Sequence, residues 1–115
     1  VKRGLFKDMD NQDFIRSKYM DKLTSAIKEL EVDVTVKLGG DTSFDIYPNG
    51  WDKTYALKHF EGDEWVFWFV GDRCYPKGND YEIFSLLKDT GRAFETGDPQ
   101  ETIEIIDFHI LRDVI

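Results

Sequence analysis

The chain has 115 residues, enough for one modest hydrophobic core. Hydrophobic residues make up 41% and aromatics 15%, and no 18-residue apolar stretch or positively flanked secretory segment occurs, so a soluble cytoplasmic protein without a membrane partner is expected. A net charge of −8 with its fifteen Lys and Arg scattered singly argues against nucleic acid, and one Cys with two His excludes an internal disulfide and a zinc cluster.

Residues 1 to 10 show no clear period: "VKRGL" reads as the end of a short strand and "KDMDNQD" as a polar turn. Ile15, Tyr19, Leu23, Ile27 and Leu30 then recur at helical spacing, with Asp10 or Asn11 as N-cap. They predict one amphipathic helix from Gln12 to about Leu30, with Arg16 on its solvated face. Val32, Val34, Val36 and Leu38 alternate with polar residues, Gly39-Gly40-Asp41 offers a turn, and Phe44 and Ile46 resume the alternation. The result is a β-hairpin with one face covered by the helix and with Ser43 and Asp45 side by side on the other.

Pro48 and Gly50 break the strand, and Asp52 caps a short helix through Tyr55, Ala56, Leu57 and Phe60. Lys53 falls in its first turn, where free amide N–H groups already favour an anion and the lysine adds charge of the same sign. Trp65 to Val70 is a near-continuous apolar run, as expected of a strand buried on both faces of a parallel sheet. Asp80 opens a helix through Ile83, Phe84 and Leu87, and "GRAFET" supplies a second short strand. Asp98-Pro99-Gln100-Glu101 starts a last helix, with an acidic N-cap, Pro at N1 and an acid at N3; it is expected to bury Ile103, Ile106 and Ile110 and to fray near Ile115.

The class is therefore α/β, since the second half alternates strand and helix as a parallel sheet requires. Two short parallel strands leave open edges, so a larger doubly wound domain, with strands from outside these residues, is the expectation.

In open α/β sheets ligands bind at the carboxyl ends of the strands, and Asp72 follows Val70-Gly71 at such an end. "GDRCYPKGND" brings Asp72, Asn79 and Asp80 together as hard oxygen donors on a tight turn, a set that suits Mg²⁺ with waters and a phosphate oxygen. The alternative reading makes Asp72 a turn residue and Asn79 or Asp80 a helix cap.

"GGDTSFDIYPNGWDKTYAL" and "FVGDRCYPKGNDYEIF" resemble the C-terminal half of eukaryotic-type phosphomannomutases of the haloacid dehalogenase superfamily, from about Ile15 to about Ala93. The resemblance implies that residues 1–48 are part of an α+β cap domain and 49–115 the closing part of a Rossmann-like core. It implies Mg²⁺ at Asp72 with Asn79 and Asp80 in support, Lys53 on the transferring phosphoryl group, and Ser43 and Asp45 on the cap's substrate-binding face, with Arg3 gripping phosphate. The substrate would be a hexose phosphate, with mannose 6-phosphate and mannose 1-phosphate interconverted through an aspartyl phosphate, and a homodimer would form through the cap.

The family's nucleophile strand, ending in Asp-x-Asp-Gly-Thr, is absent, so these residues alone are expected to be inactive. Asp8-Met9-Asp10 imitates it superficially, but Lys7 interrupts the apolar approach and Asn11-Gln12 replace the Gly-Thr turn; it reads as a polar turn and helix cap. The family's further cap arginines have no counterpart between Arg3 and Arg16, Leu86 stands where relatives often carry an acid near a second cation, and Asp41 adds charge near the sugar phosphate. Cys74, His59 and His109 read as incidental. A sugar-phosphate phosphatase of the same superfamily and a non-catalytic binding or assembly module are the alternative functions.

Overall fold

The first residues are helical. In the computed structural model, which describes residues 1 to 114, helix α1 spans Lys2–Asp13 and helix α2 spans Ile15–Glu29. The expected strand end and polar turn are thus replaced by a helix, and the expected helix from Gln12 is split in two. The break is Phe14, whose φ of 53° is left-handed, an uncommon conformation for a residue with a Cβ. Two hydrogen bonds hold it there. The Phe14 N–H donates to the Asp10 carbonyl at 2.8 Å, and the Arg16 N–H, an unsatisfied donor in the first turn of α2, donates to Asp10 Oδ1 at 2.6 Å.

The N-cap position of α2 is thus Phe14 and not Asp10 or Asn11; Asp10 satisfies the Arg16 N–H from inside the preceding helix, and Asp8 and Met9 lie in α1 rather than in a turn. Arg16 is also not on a solvated face. It is 9% exposed and paired with Asp10, which is 8% exposed, through an Nε to Oδ2 bond of 2.7 Å. Burial pushes the Asp10 carboxyl up, but the Arg16 backbone and side-chain hydrogen bonds and the guanidinium charge outweigh it and hold the value below the usual carboxylate range.

Helix α2 buries Met20 and packs Leu23 and Ile27 against the sheet, whereas Tyr19 and Leu30 of the expected stripe are exposed. The inward face runs through Arg16, Met20, Leu23 and Ile27, one position round from the purely apolar stripe, because the buried guanidinium takes a place that periodicity reserves for a hydrocarbon. The helix ends with Glu31 left-handed at φ 55°, the Val32 N–H donating to the Ile27 carbonyl and the Glu31 N–H to that of Lys28.

Strand β1 (Val34–Gly39) pairs antiparallel with β2 (Ser43–Pro48) in the expected hairpin. The register sets Val36 opposite Ile46 and Leu38 opposite Phe44, so these four share one face. Met20, Val36 and Leu38 form its core with Leu23, Ile27 and Phe44, while Ile46 remains exposed. On the opposite face Lys37 stands across from Asp45 and Gly39 across from Ser43.

Residues Lys77–Asn79 belong to this first compact unit, Val1–Asp52. The Leu38 N–H donates to the Lys77 carbonyl at 3.0 Å, and Lys77 Nζ reaches Ser17 Oγ at 2.5 Å and Asp21 Oδ1 at 2.8 Å.

The second unit comprises Lys53–Pro76 and Asp80 onward. Lys53–His59 is a 3₁₀ helix with Lys53 in its first turn, more tightly wound than an α-helix. Strand β3 (Phe69–Gly71) runs parallel to β4 (Ala93–Glu95), with helix α3 (Tyr81–Leu87) between them in sequence, so the mixed α/β class and the βαβ order expected are both present. Ile83 and Leu87 of α3 are buried.

The apolar run is less buried than its composition suggests. Trp65 and Val66 lie outside β3 and are exposed, because among the described residues only β4 pairs with this strand and a single neighbour cannot cover both faces.

Helix α4 (Pro99–Ile105) begins as its sequence dictates: Asp98 Oδ1 accepts from the Glu101 N–H at 2.7 Å, and the Glu101 carboxylate accepts from the Gly97 N–H. It continues through a π-helical segment, Ile106–Ile110, into α5 (Leu111–Val114). Ile103 and Ile106 were expected in the core and are exposed, whereas Ile110 is half-buried. The two-stranded sheet offers too little surface to cover them. The fraying expected near Ile115 falls outside the described residues. No helix among the described residues is long and apolar enough to cross a membrane.

Candidate functional site in the second unit

Gly71 ends β3, and the chain turns at Asp72 toward solvent while the loop returns to Asp80. Asp80 stands at the N-cap position of α3, yet its side chain makes no capping bond. It turns back to the strand end instead. Oδ2 accepts from the Asp72 N–H at 3.1 Å and the Arg73 N–H at 3.0 Å, and Oδ1 accepts from Lys53 Nζ.

With its residue only 2% exposed, the carboxylate would be costly to bury were it not saturated by these three donors. Burial raises its pKa, but the Lys53 hydrogen bond and charge and the two backbone donors prevail, leaving it below the usual carboxylate range. The Lys53 side chain remains half exposed. One edge of its ammonium is fixed by Asp80, and an ammonium carries three donors, so it can meet a further anion.

Gly71 is required by space rather than by backbone freedom. A Cβ there would lie 2.6 Å from Asp80 Oδ2 and 2.6 Å from Phe69 Cζ. Gly71→Ala is expected to displace the carboxylate from its two amides and to lower stability by about 2 kcal/mol, as overpacking does, checked by the midpoint of urea unfolding.

Cys74 donates weakly to the Gly71 carbonyl at 3.6 Å. Burial, then the charges of Glu95, Asp80 and Asp72, push its thiol up to about 11 against the opposing pull of Lys53, so it stays protonated at neutral pH and is a poor nucleophile. His109 stacks on Phe94 with ring centroids 4.6 Å apart.

Among the described residues no group of three or more His, Cys, Asp or Glu side chains is arranged to hold a metal ion. Both Asp80 oxygens are engaged, which leaves the exposed Asp72 as the carboxylate able to face a hard cation. One carboxylate completed by waters and phosphate oxygens is an ordinary environment for Mg²⁺. Asp72 also borders an open groove of about 590 Å³ at the carboxyl ends of both strands, with Thr96, Asp98, Thr102 and Ile103 on its other walls.

Of the residues singled out from sequence, Lys53, Asp72 and Asp80 converge here. Asn79 belongs to the first unit with Ser43, Asp45 and Arg3. Ser43 and Asp45 share a strand face, both exposed, while Arg3 is exposed in the first turn of α1. Asp41, in the hairpin turn, has Lys7 Nζ at 3.8 Å. Sequence reasoning did not find the Lys53–Asp80 pair, since 27 residues separate the partners. Nor did it find the buried Asp10–Arg16 pair, for which the only signal was a charge on an otherwise apolar helical stripe.

A family model described as eukaryotic phosphomannomutase matches residues 1–112. Similar proteins include a phosphomannomutase of Drosophila melanogaster, 41% identical over 90% of this chain and 40% of its own length, and one of Dendrobium officinale, 38% identical over 95% of this chain and 41% of its own. A phosphomannomutase of Saccharomyces cerevisiae is 36% identical over 90% of this chain and 40% of its own length. The chain thus spans about 40% of the length of these relatives. With that match over residues 1–112 and relatives of 36 to 41% identity across nine-tenths of its length, the chain belongs to the eukaryotic phosphomannomutase family.

Proposed function

We propose that this chain contributes a phosphoryl-neutralising site and a sugar-binding face to an enzyme that interconverts mannose 6-phosphate and mannose 1-phosphate. The observation that carries the reading is the Lys53–Asp80 pair: a half-exposed ammonium anchored by a buried carboxylate that sits on the Asp72 and Arg73 amides. An ammonium held in this way neutralises charge on a transferring phosphoryl oxygen without having to reorganise during the step.

Asp72 would hold Mg²⁺, and Asp80 would fix Lys53 and the loop rather than ligate the ion directly. Bound Mg²⁺ would supply further charge neutralisation at the phosphate. On the first unit, Ser43 and Asp45 would take sugar hydroxyls and Arg3 a phosphate. The aspartyl nucleophile does not occur in these residues, so it belongs to a segment outside them, and the 115 residues alone are inactive under this reading. The same reading places the enzyme in the cytoplasm as a homodimer formed through the cap, without nucleic acid or membrane partners.

The test is turnover of mannose 1-phosphate by the 115 residues and by the protein carrying the upstream segment, with and without Lys53→Ala. The longer protein should isomerise the sugar, and Lys53→Ala should lower kcat on the order of 100-fold or more. Isomerisation by the 115 residues alone, or an unaffected Lys53→Ala variant, would overturn the proposal. Release of inorganic phosphate without isomer would make the protein a phosphatase instead.

A further inference from the structure

The hairpin that carries Ser43 and Asp45 is closed by a residue outside it. Arg16 Nη1 donates to three backbone carbonyls, those of Gly39 at 3.0 Å, Gly40 at 3.2 Å and Ser43 at 3.0 Å, on both arms of the turn between β1 and β2. The same guanidinium is aimed by Asp10 through Nε, and the Arg16 N–H lies on the other oxygen of that carboxylate. A planar fork of five donors serves a carboxylate and a set of carbonyls at once in one fixed geometry, whereas the three donors of an ammonium on a flexible stem are fewer and less rigidly placed.

The turn itself is tightly specified. Gly40 is left-handed at φ 50°, Ser43 Oγ donates to the Gly39 carbonyl at 2.8 Å, and a Cβ on Gly39 would meet Asp45 Oδ1 at 2.7 Å. Asp45 thus lies over Gly39, whose carbonyl is held by Arg16 and by Ser43 together. Displacing that carbonyl moves the backbone under Asp45 and the acceptor of Ser43 in one motion.

We infer that Arg16, aimed by Asp10, is a positioning residue that sets the spacing of Ser43 and Asp45 for a sugar phosphate. The inference rests on the reading of Ser43 and Asp45 as the sugar-binding face. Arg16 is buried, so its part is played through the turn, without touching the ligand.

The experiment compares the full-length protein with its Arg16→Lys, Asp10→Asn, Ser43→Ala and Asp45→Ala variants, reading Kd for mannose 1-phosphate by titration calorimetry and kcat at saturation. Arg16→Lys should raise Kd about tenfold while kcat changes less than about twofold, the signature of lost ground-state binding. Asp10→Asn keeps the guanidinium but loosens its aim, and should shift Kd the same way by less; it serves if Arg16→Lys does not fold. Combined with Asp45→Ala, Arg16→Lys should add little, because both act through one contact.

Unchanged Kd in Arg16→Lys and Asp10→Asn, alongside weakened binding in Asp45→Ala, would overturn the inference and leave the proposed sugar face standing. Unchanged Kd in Ser43→Ala and Asp45→Ala would sink the sugar face itself, and the inference with it.

Discussion

Replacing Asp80 by alanine is expected to lower stability by on the order of 3 kcal/mol, read as the shift in the urea midpoint of the full-length protein at pH 7. Three donors converge on this carboxylate, and the largest part of the loss comes from the Asp72 and Arg73 amides. The ion pair itself adds less, because the Lys53 side chain is half exposed and its charge can return to water. Asp80→Asn keeps an acceptor oxygen toward the amides and should cost distinctly less.

The sign of the pH dependence follows from the same contacts. The carboxyl titrates below its unfolded value, so its contribution is complete above the ordinary carboxylate range near about pH 4 and disappears as pH falls through the lower folded value. Wild type should therefore lose stability on acidification more steeply than Asp80→Ala. Parallel acid profiles for the two proteins would refute this account of the site.

Truncating Arg16 to alanine is the second large effect, expected to cost about 3–5 kcal/mol. It leaves Asp10 buried without its cation and strips a donor from the Gly39, Gly40 and Ser43 carbonyls. Removing both charges should hurt less than removing one: Asp10→Leu with Arg16→Met deletes the uncompensated ion, at the expense of the carbonyl contacts and of the Arg16 N–H bond that starts α2. If the double variant unfolds more readily than Arg16→Ala, the pair is not what makes the single substitution costly. Because Asp10 too is held below its usual range, this unit should also weaken as pH falls below that range.

Local rules carried far along the chain. The hairpin follows from alternation and a double glycine, the start of α4 from Asp-Pro-x-Glu, and the end of α2 is within a residue of the expected place. Asp72 falls at the end of β3, where the order of an apolar run, Gly71 and an acid put it.

The expectations that failed did so where a contact between distant residues outweighed periodicity. Phe14 splits the first helical stretch because the Asp10 backbone and carboxylate together organise the start of α2, and Arg16 turns inward because carbonyls 23 to 27 residues away accept its protons. The outward Ile103 and Ile106 and the exposed Trp65 and Val66 show the converse. Hydrophobicity expresses a demand for burial, and only the number of neighbouring strands decides whether that demand is met.

The sequence by itself determined the α/β class, the family, the sharing of one strand face by Ser43 and Asp45, and the place of Asp72 at a strand end. All of these depend on patterns within a few residues or on a signature read in order. The tertiary structure alone decided that Asp80 faces Lys53 and two backbone amides rather than capping its own helix, and that one buried guanidinium closes the hairpin. Each of those depends on charges far apart in the chain being brought out of water together, a pairing that spacing along the sequence does not encode.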